Sequence, residues 1–138
     1  ANNPDAPTCW IAGFSFGSWI ALQLLMRRPE IEGFVAVSPP ANLYDFSFLS
    51  PCPSAGLITQ GDKDDVVSED AVNKLATKLA GQQGTNVEYK LIGGADHYYR
   101  GIEEELGNVV HDYVSRRMAD FTLKRKVRPD RKRRQLPR

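Results

Sequence analysis

Five residues near the start of the chain, Gly13-Phe14-Ser15-Phe16-Gly17, restrict what it can fold into more than any other stretch. They follow the apolar run Cys9-Trp10-Ile11-Ala12 and precede a helical run from Ser18 to Arg28, which Pro29 closes. A strand that enters a helix through so short a turn must bring the two backbones very close together. Glycines two positions either side of Ser15 permit that approach, and the turn itself favours an unusual backbone conformation at the serine. The arrangement is that of a nucleophile elbow, which lifts a serine Oγ clear of its neighbours at the positive end of a helix. Serine is also a common helix N-cap, so the pattern acquires chemical meaning only with partners elsewhere.

Those partners are present in the order such a serine requires. Gly56-Leu57-Ile58-Thr59-Gln60 reads as a buried strand that runs into Gly61-Asp62-Lys63-Asp64-Asp65-Val66-Val67, with a helix beginning near Ser68. Val87-Glu88-Tyr89-Lys90-Leu91-Ile92 alternates like a strand with one more exposed face, and Gly93-Gly94-Ala95-Asp96-His97 follows it. Four strands are predicted near 8–13, 33–38, 56–60 and 86–92, with helices near 16–28, 68–80 and 102–120. This is an α/β pattern, a mostly parallel sheet flanked by helices. In such a sheet, loops that each follow a strand meet at its carboxyl edge however far apart they lie in sequence.

With elbow, acid loop and histidine loop in this order, the chain resembles the C-terminal part of an α/β-hydrolase, close to the small bacterial dienelactone-hydrolase-like group. The resemblance covers most of residues 8 to 118. It implies Ser15 as nucleophile, Asp64 as the orienting carboxylate with Asp62 in reserve, and His97 as general base. Dienelactone hydrolases proper use cysteine, so Ser15 points to serine esterase chemistry: cleavage of a small carboxylic ester through an acyl-enzyme, without metal or cofactor. The Phe16 N–H would supply one oxyanion donor. The second donor of this fold lies on a loop after an early strand, and no such strand precedes residue 8 here. The expectation is therefore a C-terminal portion of a larger hydrolase over 1–121, with upstream strands missing, an open sheet edge and a tendency to self-associate. The contrasting expectation is a catalytically impaired module that serves in binding.

Phe14, Tyr44 and Phe46 are candidates for lining a substrate pocket, or for packing the core. The helix over 16–26 is apolar nearly all round, as a helix buried beside the sheet would be. His111 falls off the apolar stripe of the last helix and is expected at the surface. Cys9, in a predicted buried strand, and Cys52, between two prolines, lack metal-site spacing and fit a reducing cytoplasm better than a disulfide framework. No run reaches membrane-spanning length.

Charge is unevenly placed. Residues 122–138 hold nine Lys or Arg against the single acid Asp130, a net of +8, whereas residues 1–121 hold nine basic and sixteen acidic residues, a net of −7. Such a tail could attract nucleic acid or an anionic surface. It carries no aromatic residue for base stacking, and Pro129 and Pro137 oppose a continuous helix, so a solvated, disordered tail is expected instead.

Overall fold

The computed structural model describes residues 8–82 and 84–135. Ala1–Glu103 and Glu104–Arg138 form two compact units. The first holds strands β1 (Trp10–Phe14), β2 (Gly33–Val37), β3 (Ala55–Gly61) and β4 (Val87–Ile92), helices α1 (Phe16–Arg27) and α2 (Glu69–Ala80), and a short 3-10 turn at Ser47–Leu49.

The strands form one sheet in the order β1-β2-β3-β4, and every neighbouring pair is parallel. Parallel sheets covered on both faces read as continuous apolar runs, and β2 and β3 do so: Phe34, Ala36, Leu57 and Ile58 are buried. Register is set so that Phe14 stands opposite Val37, Val37 opposite Thr59, and Gly61 opposite Ile92. All four strands therefore end on the same side, and the loops that follow them share one edge.

Helix α2 starts where Ser68 Oγ accepts the Ala71 N–H at 3.2 Å, with Glu69 and Asp70 in its first turn favouring the positive end of the helix. Its buried residues Val72, Leu75, Ala76 and Leu79 recur at helical spacing and face the core. Each such leucine contributes about 1.5–3 kcal/mol by leaving water. Helix α1 buries Ser18, Ala21, Leu22 and Leu25 and leaves Phe16, Ile20, Leu24 and Met26 exposed. The expectation of a helix buried all round is thus corrected: one apolar stripe is covered and the other is not.

Two further expectations change. Cys9 precedes β1 and is exposed rather than lying inside a buried strand, while Cys52 is buried; both thiols are free. The last helix, α3 (Glu103–Gln135), continues through Pro129, so the expectation that this proline opposes a continuous helix does not hold. A proline removes a single intrahelical N–H, and the surrounding Lys, Arg, Leu and Gln are strong helix formers. Residues 136–138 lie outside the described residues. His111 is exposed on α3, as expected.

Candidate active site

The turn between β1 and α1 has the geometry of an elbow. Ser15 adopts φ 54° and ψ −124°, a conformation that side chains rarely accept, and its N–H donates to Val37 O at 2.7 Å. Its carbonyl accepts the Ser18 N–H at 2.9 Å and the Ser18 hydroxyl at 2.6 Å, so the strained backbone is tied to both β2 and α1. The Ser15 side chain makes no capping bond to α1, which removes the reading of this serine as a mere helix cap. Only one of the flanking glycines is needed for clearance. A Cβ on Gly13 would overlap the Gly17 carbonyl and come within 2.7 Å of Ser18 Cα, whereas a Cβ on Gly17 would meet nothing within 4 Å.

The acid loop and the histidine loop are fastened to each other. Asp62 N–H donates to Ile92 O at 3.2 Å, Lys63 N–H to Ala95 O at 3.0 Å, and Asp62 Oδ1 accepts the Gly94 N–H at 2.7 Å. Gly61 is where the loops come closest, and a Cβ there would overlap Ala95 O. Asp62, the reserve acid, thus ties the histidine loop down and does not touch the imidazole.

Asp64 does. Its Oδ2 lies 2.8 Å from His97 Nδ1, with the Asp64 side chain fully buried and that of His97 5% exposed. Oδ1 accepts the N–H groups of Val66 and Val67, each at 2.8 Å. Burial by itself would raise the pKa of the Asp64 carboxyl, but the Val67 N–H, the His97 ring and the Val66 N–H together hold it below the usual carboxylate value. An ionised acceptor on that side implies that Nδ1 carries the proton, leaving Nε2 as the basic nitrogen.

On its other side the imidazole packs against the β1 end: the ring of Phe14, the residue before Ser15, is centred 5.2 Å from that of His97. Ser15 and His97 therefore close the same edge of the sheet, although no hydrogen bond joins Ser15 Oγ to the imidazole among the described residues. Phe16, first residue of α1, presents its N–H where helical N–H groups have no intrahelical acceptor.

Around these residues stand half-exposed aromatics. Phe16 lies 5.2 Å and Trp19 4.9 Å from Tyr44, ring centre to ring centre, while Phe14 and Tyr98 stand 6.2 Å apart. Phe14 and Tyr44 are both partly exposed. Phe46 is not: it is 5% exposed and packs in the core beside Phe48. A cleft of about 330 Å³ opens beside the imidazole, lined among others by Lys63, Val66, His97, Tyr98 and Arg100.

Four supporting residues were not singled out in the sequence. Ser38 (φ 52°) and Tyr99 (φ 57°) repeat the positive φ of Ser15, and Tyr99 Oη lies 3.3 Å from both Ser38 Oγ and Thr59 Oγ1. This buried cluster fixes the backbone two residues after His97. Gln60 donates to Asp64 Oδ2 at 3.1 Å. The one signal available was polarity at the end of strands otherwise apolar, in Val37-Ser38 and Ile58-Thr59-Gln60. Among the described residues no cluster of metal-ligating side chains occurs, and no helix is long and apolar enough to cross a membrane.

No known family profile matches the chain. Over 117 residues it is 53% identical to an uncharacterised protein of Rickettsia prowazekii, covering 82% of this chain and 49% of that one. A crystal structure of a protein of unknown function from Agrobacterium tumefaciens, described as a candidate α/β hydrolase, superposes with a TM-score of 0.82 at 51% identity, over 85% of this chain and 54% of the other. An α/β serine hydrolase homologue from Coxiella burnetii superposes with a TM-score of 0.61 at 32% identity, over 72% and 46%. A lidless α/β serine hydrolase from Xanthomonas campestris gives 0.67 at 28% identity, over 79% and 47%. The chain spans about half the length of the relatives it matches. Within that span the architecture is the parallel core of the α/β-hydrolase fold, and the similarity is homology to that superfamily.

Proposed function

We propose that this chain, homologous to the α/β-hydrolase superfamily, carries the reacting residues of a serine hydrolase that cleaves a small carboxylic ester. The observation that carries the reading is the buried 2.8 Å contact between Asp64 and His97, set on the same sheet edge as a strained serine whose side chain caps nothing. The serine hydrolase character of the Coxiella and Xanthomonas relatives supports it.

In this mechanism His97 Nε2 takes the Ser15 proton as Oγ attacks the ester carbonyl. Asp64 holds the ring by Nδ1 and stabilises the imidazolium, remaining ionised throughout. The Phe16 N–H, at the positive end of α1, stabilises the developing oxyanion, and one such donor is worth about 2.7–4 kcal/mol. His97 then returns the proton to the departing alcohol, and water, activated by the same nitrogen, releases the acid from Ser15. Phe14 and Tyr44 would bound the acyl or alcohol group. Within the superfamily we place the chain beside the small bacterial dienelactone-hydrolase-like group, as a C-terminal portion, with serine in place of cysteine as the reason to favour esters. Two free thiols support a reducing, cytoplasmic setting.

Labelling with a fluorophosphonate probe tests the nucleophile without knowledge of the substrate. The wild-type chain should be labelled at Ser15, and Ser15→Ala should not. Equal labelling of both would remove Ser15 from the mechanism.

A further inference from the structure

The final positions of β3 include a polar residue in a fully buried place. Gln60 is 0% exposed, and its Nε2 is surrounded by three oxygens: Asp64 Oδ2 at 3.1 Å, Gly61 O at 3.2 Å and Val67 O at 3.4 Å. These neighbours fix which way the amide points, since turning it over would set Oε1 against all three. Oε1 itself has no hydrogen-bond partner among the described residues, although it is buried. A buried carbonyl without a partner destabilises the fold, so the position is not explained by stability alone.

Its connection to Asp64 does explain it. The carboxylate receives four N–H groups: Val66 and Val67 on Oδ1, His97 and Gln60 on Oδ2. With all four in place the group is held against rotation and Oδ2 stays in line with Nδ1. We propose that Gln60 is a positioning residue, whose neutral N–H holds the Asp64 carboxylate against the His97 imidazole. The proposal rests on the Ser15, His97 and Asp64 reading for its role in the reaction. The titratable groups that share the Asp64 field are His97 and Tyr99, while on the neighbouring elements Glu69 of α2 is bound to Tyr89 of β4 at 2.9 Å. A carboxyl group at position 60 would stand beside Asp64 Oδ2, and two carboxyls that close share a proton. Once both ionise, the added negative charge strengthens the hold of His97 on its own proton.

The test is nuclear magnetic resonance of the 138-residue chain labelled with ¹⁵N-histidine, comparing wild type, Gln60→Glu and Gln60→Met. In Gln60→Glu the protonation midpoint of His97 should rise by about one pH unit, a ten-fold gain in proton affinity, with His111 unmoved as internal control. In Gln60→Met, which has similar length and no donor, the Nδ1–H signal of His97 should broaden or vanish by exchange while the backbone spectrum stays dispersed. An undisturbed Nδ1–H signal in a folded Gln60→Met overturns the proposal. Neither reading needs Ser15 to react. Wild-type chain that resists the fluorophosphonate while the Gln60 variants shift His97 would sink the serine mechanism and leave the positioning of Asp64 intact.

Discussion

Asp64 Oδ2 sits 2.8 Å from His97 Nδ1 in a place almost closed to solvent, and the same carboxylate accepts two backbone N–H groups through its other oxygen. Residues 33 positions apart are joined because β3 and β4 are parallel neighbours that end together. The contact therefore ties the chemistry of the site to the stability of the sheet edge.

That coupling has a pH dependence with a defined sign. The folded state holds the Asp64 pKa below its unfolded value of about 3.9, so its contribution to stability is present above that value and disappears as pH falls through the folded pKa. Urea unfolding of wild type and Asp64→Asn should differ by about 1–3 kcal/mol near neutrality, and the difference should shrink below about pH 4. A difference that stays constant down to pH 2 would mean that the carboxylate charge contributes nothing to folding.

The two glycines of the elbow should behave oppositely, despite their symmetric placement about Ser15. Gly13→Ala puts a methyl group into the Gly17 carbonyl and Ser18 Cα, both backbone atoms that cannot step aside, and should destabilise by about 2 kcal/mol or more. Gly17→Ala enters open space inside α1 and should be neutral or stabilising by up to about 1 kcal/mol. Chemical unfolding of the two variants decides. Equal destabilisation would show that the close approach of β1 and α1 does not act through Gly13.

Most of the sheet edge was legible because its residues are locally marked. Apolar runs at 9–12, 33–37 and 56–60 announced strands, and each functional loop carried its own signal in Ser15 between glycines, in three aspartates after Gly61, or in His97 after two glycines. What was not legible depends on which side of an element meets a neighbour. Phe46 and Tyr44 are alike in type and close in sequence, yet one is buried in the core and the other stands at the rim. Ser38 and Tyr99 meet across 61 positions, a contact no local pattern encodes. The helix through Pro129 was not legible because the local signal of one proline opposes that of the thirteen other residues from 122 to 135, which favour or tolerate a helix.

Activity should depend on the three residues as a unit. Hydrolysis of a short-chain activated ester should fall by about 10⁴-fold or more in Ser15→Ala and in His97→Ala, and by one to two orders of magnitude less in Asp64→Asn. Combining Ser15→Ala with His97→Ala should add almost nothing to either single loss, since removing one partner already disables the other. Steady-state rates of the singles and the double variant provide the check, and chelator should leave the wild-type rate unchanged. Activity that survives Ser15→Ala but is lost with chelator would replace this mechanism with metal-assisted hydrolysis.

The elbow serine should be better for chemistry than for stability. At φ 54° and ψ −124° a side chain is strained by about 1–3 kcal/mol, while glycine accepts the same angles freely. Ser15→Gly therefore removes strain, although it also increases the freedom of the unfolded chain by about 0.4–1 kcal/mol, which opposes the gain. The net expectation is a protein more stable than wild type by up to about 2.5 kcal/mol and unable to react with fluorophosphonate. Ser15→Ala keeps a Cβ at the strained position, so it should lose the reaction without gaining that stability. Thermal unfolding of the three proteins side by side makes the comparison, since the variants differ only in whether a Cβ is present. If Ser15→Gly melts at or below Ser15→Ala, the turn stores no strain at Ser15, and the backbone conformation there is one the surrounding hydrogen bonds to Val37 and Ser18 impose at little cost.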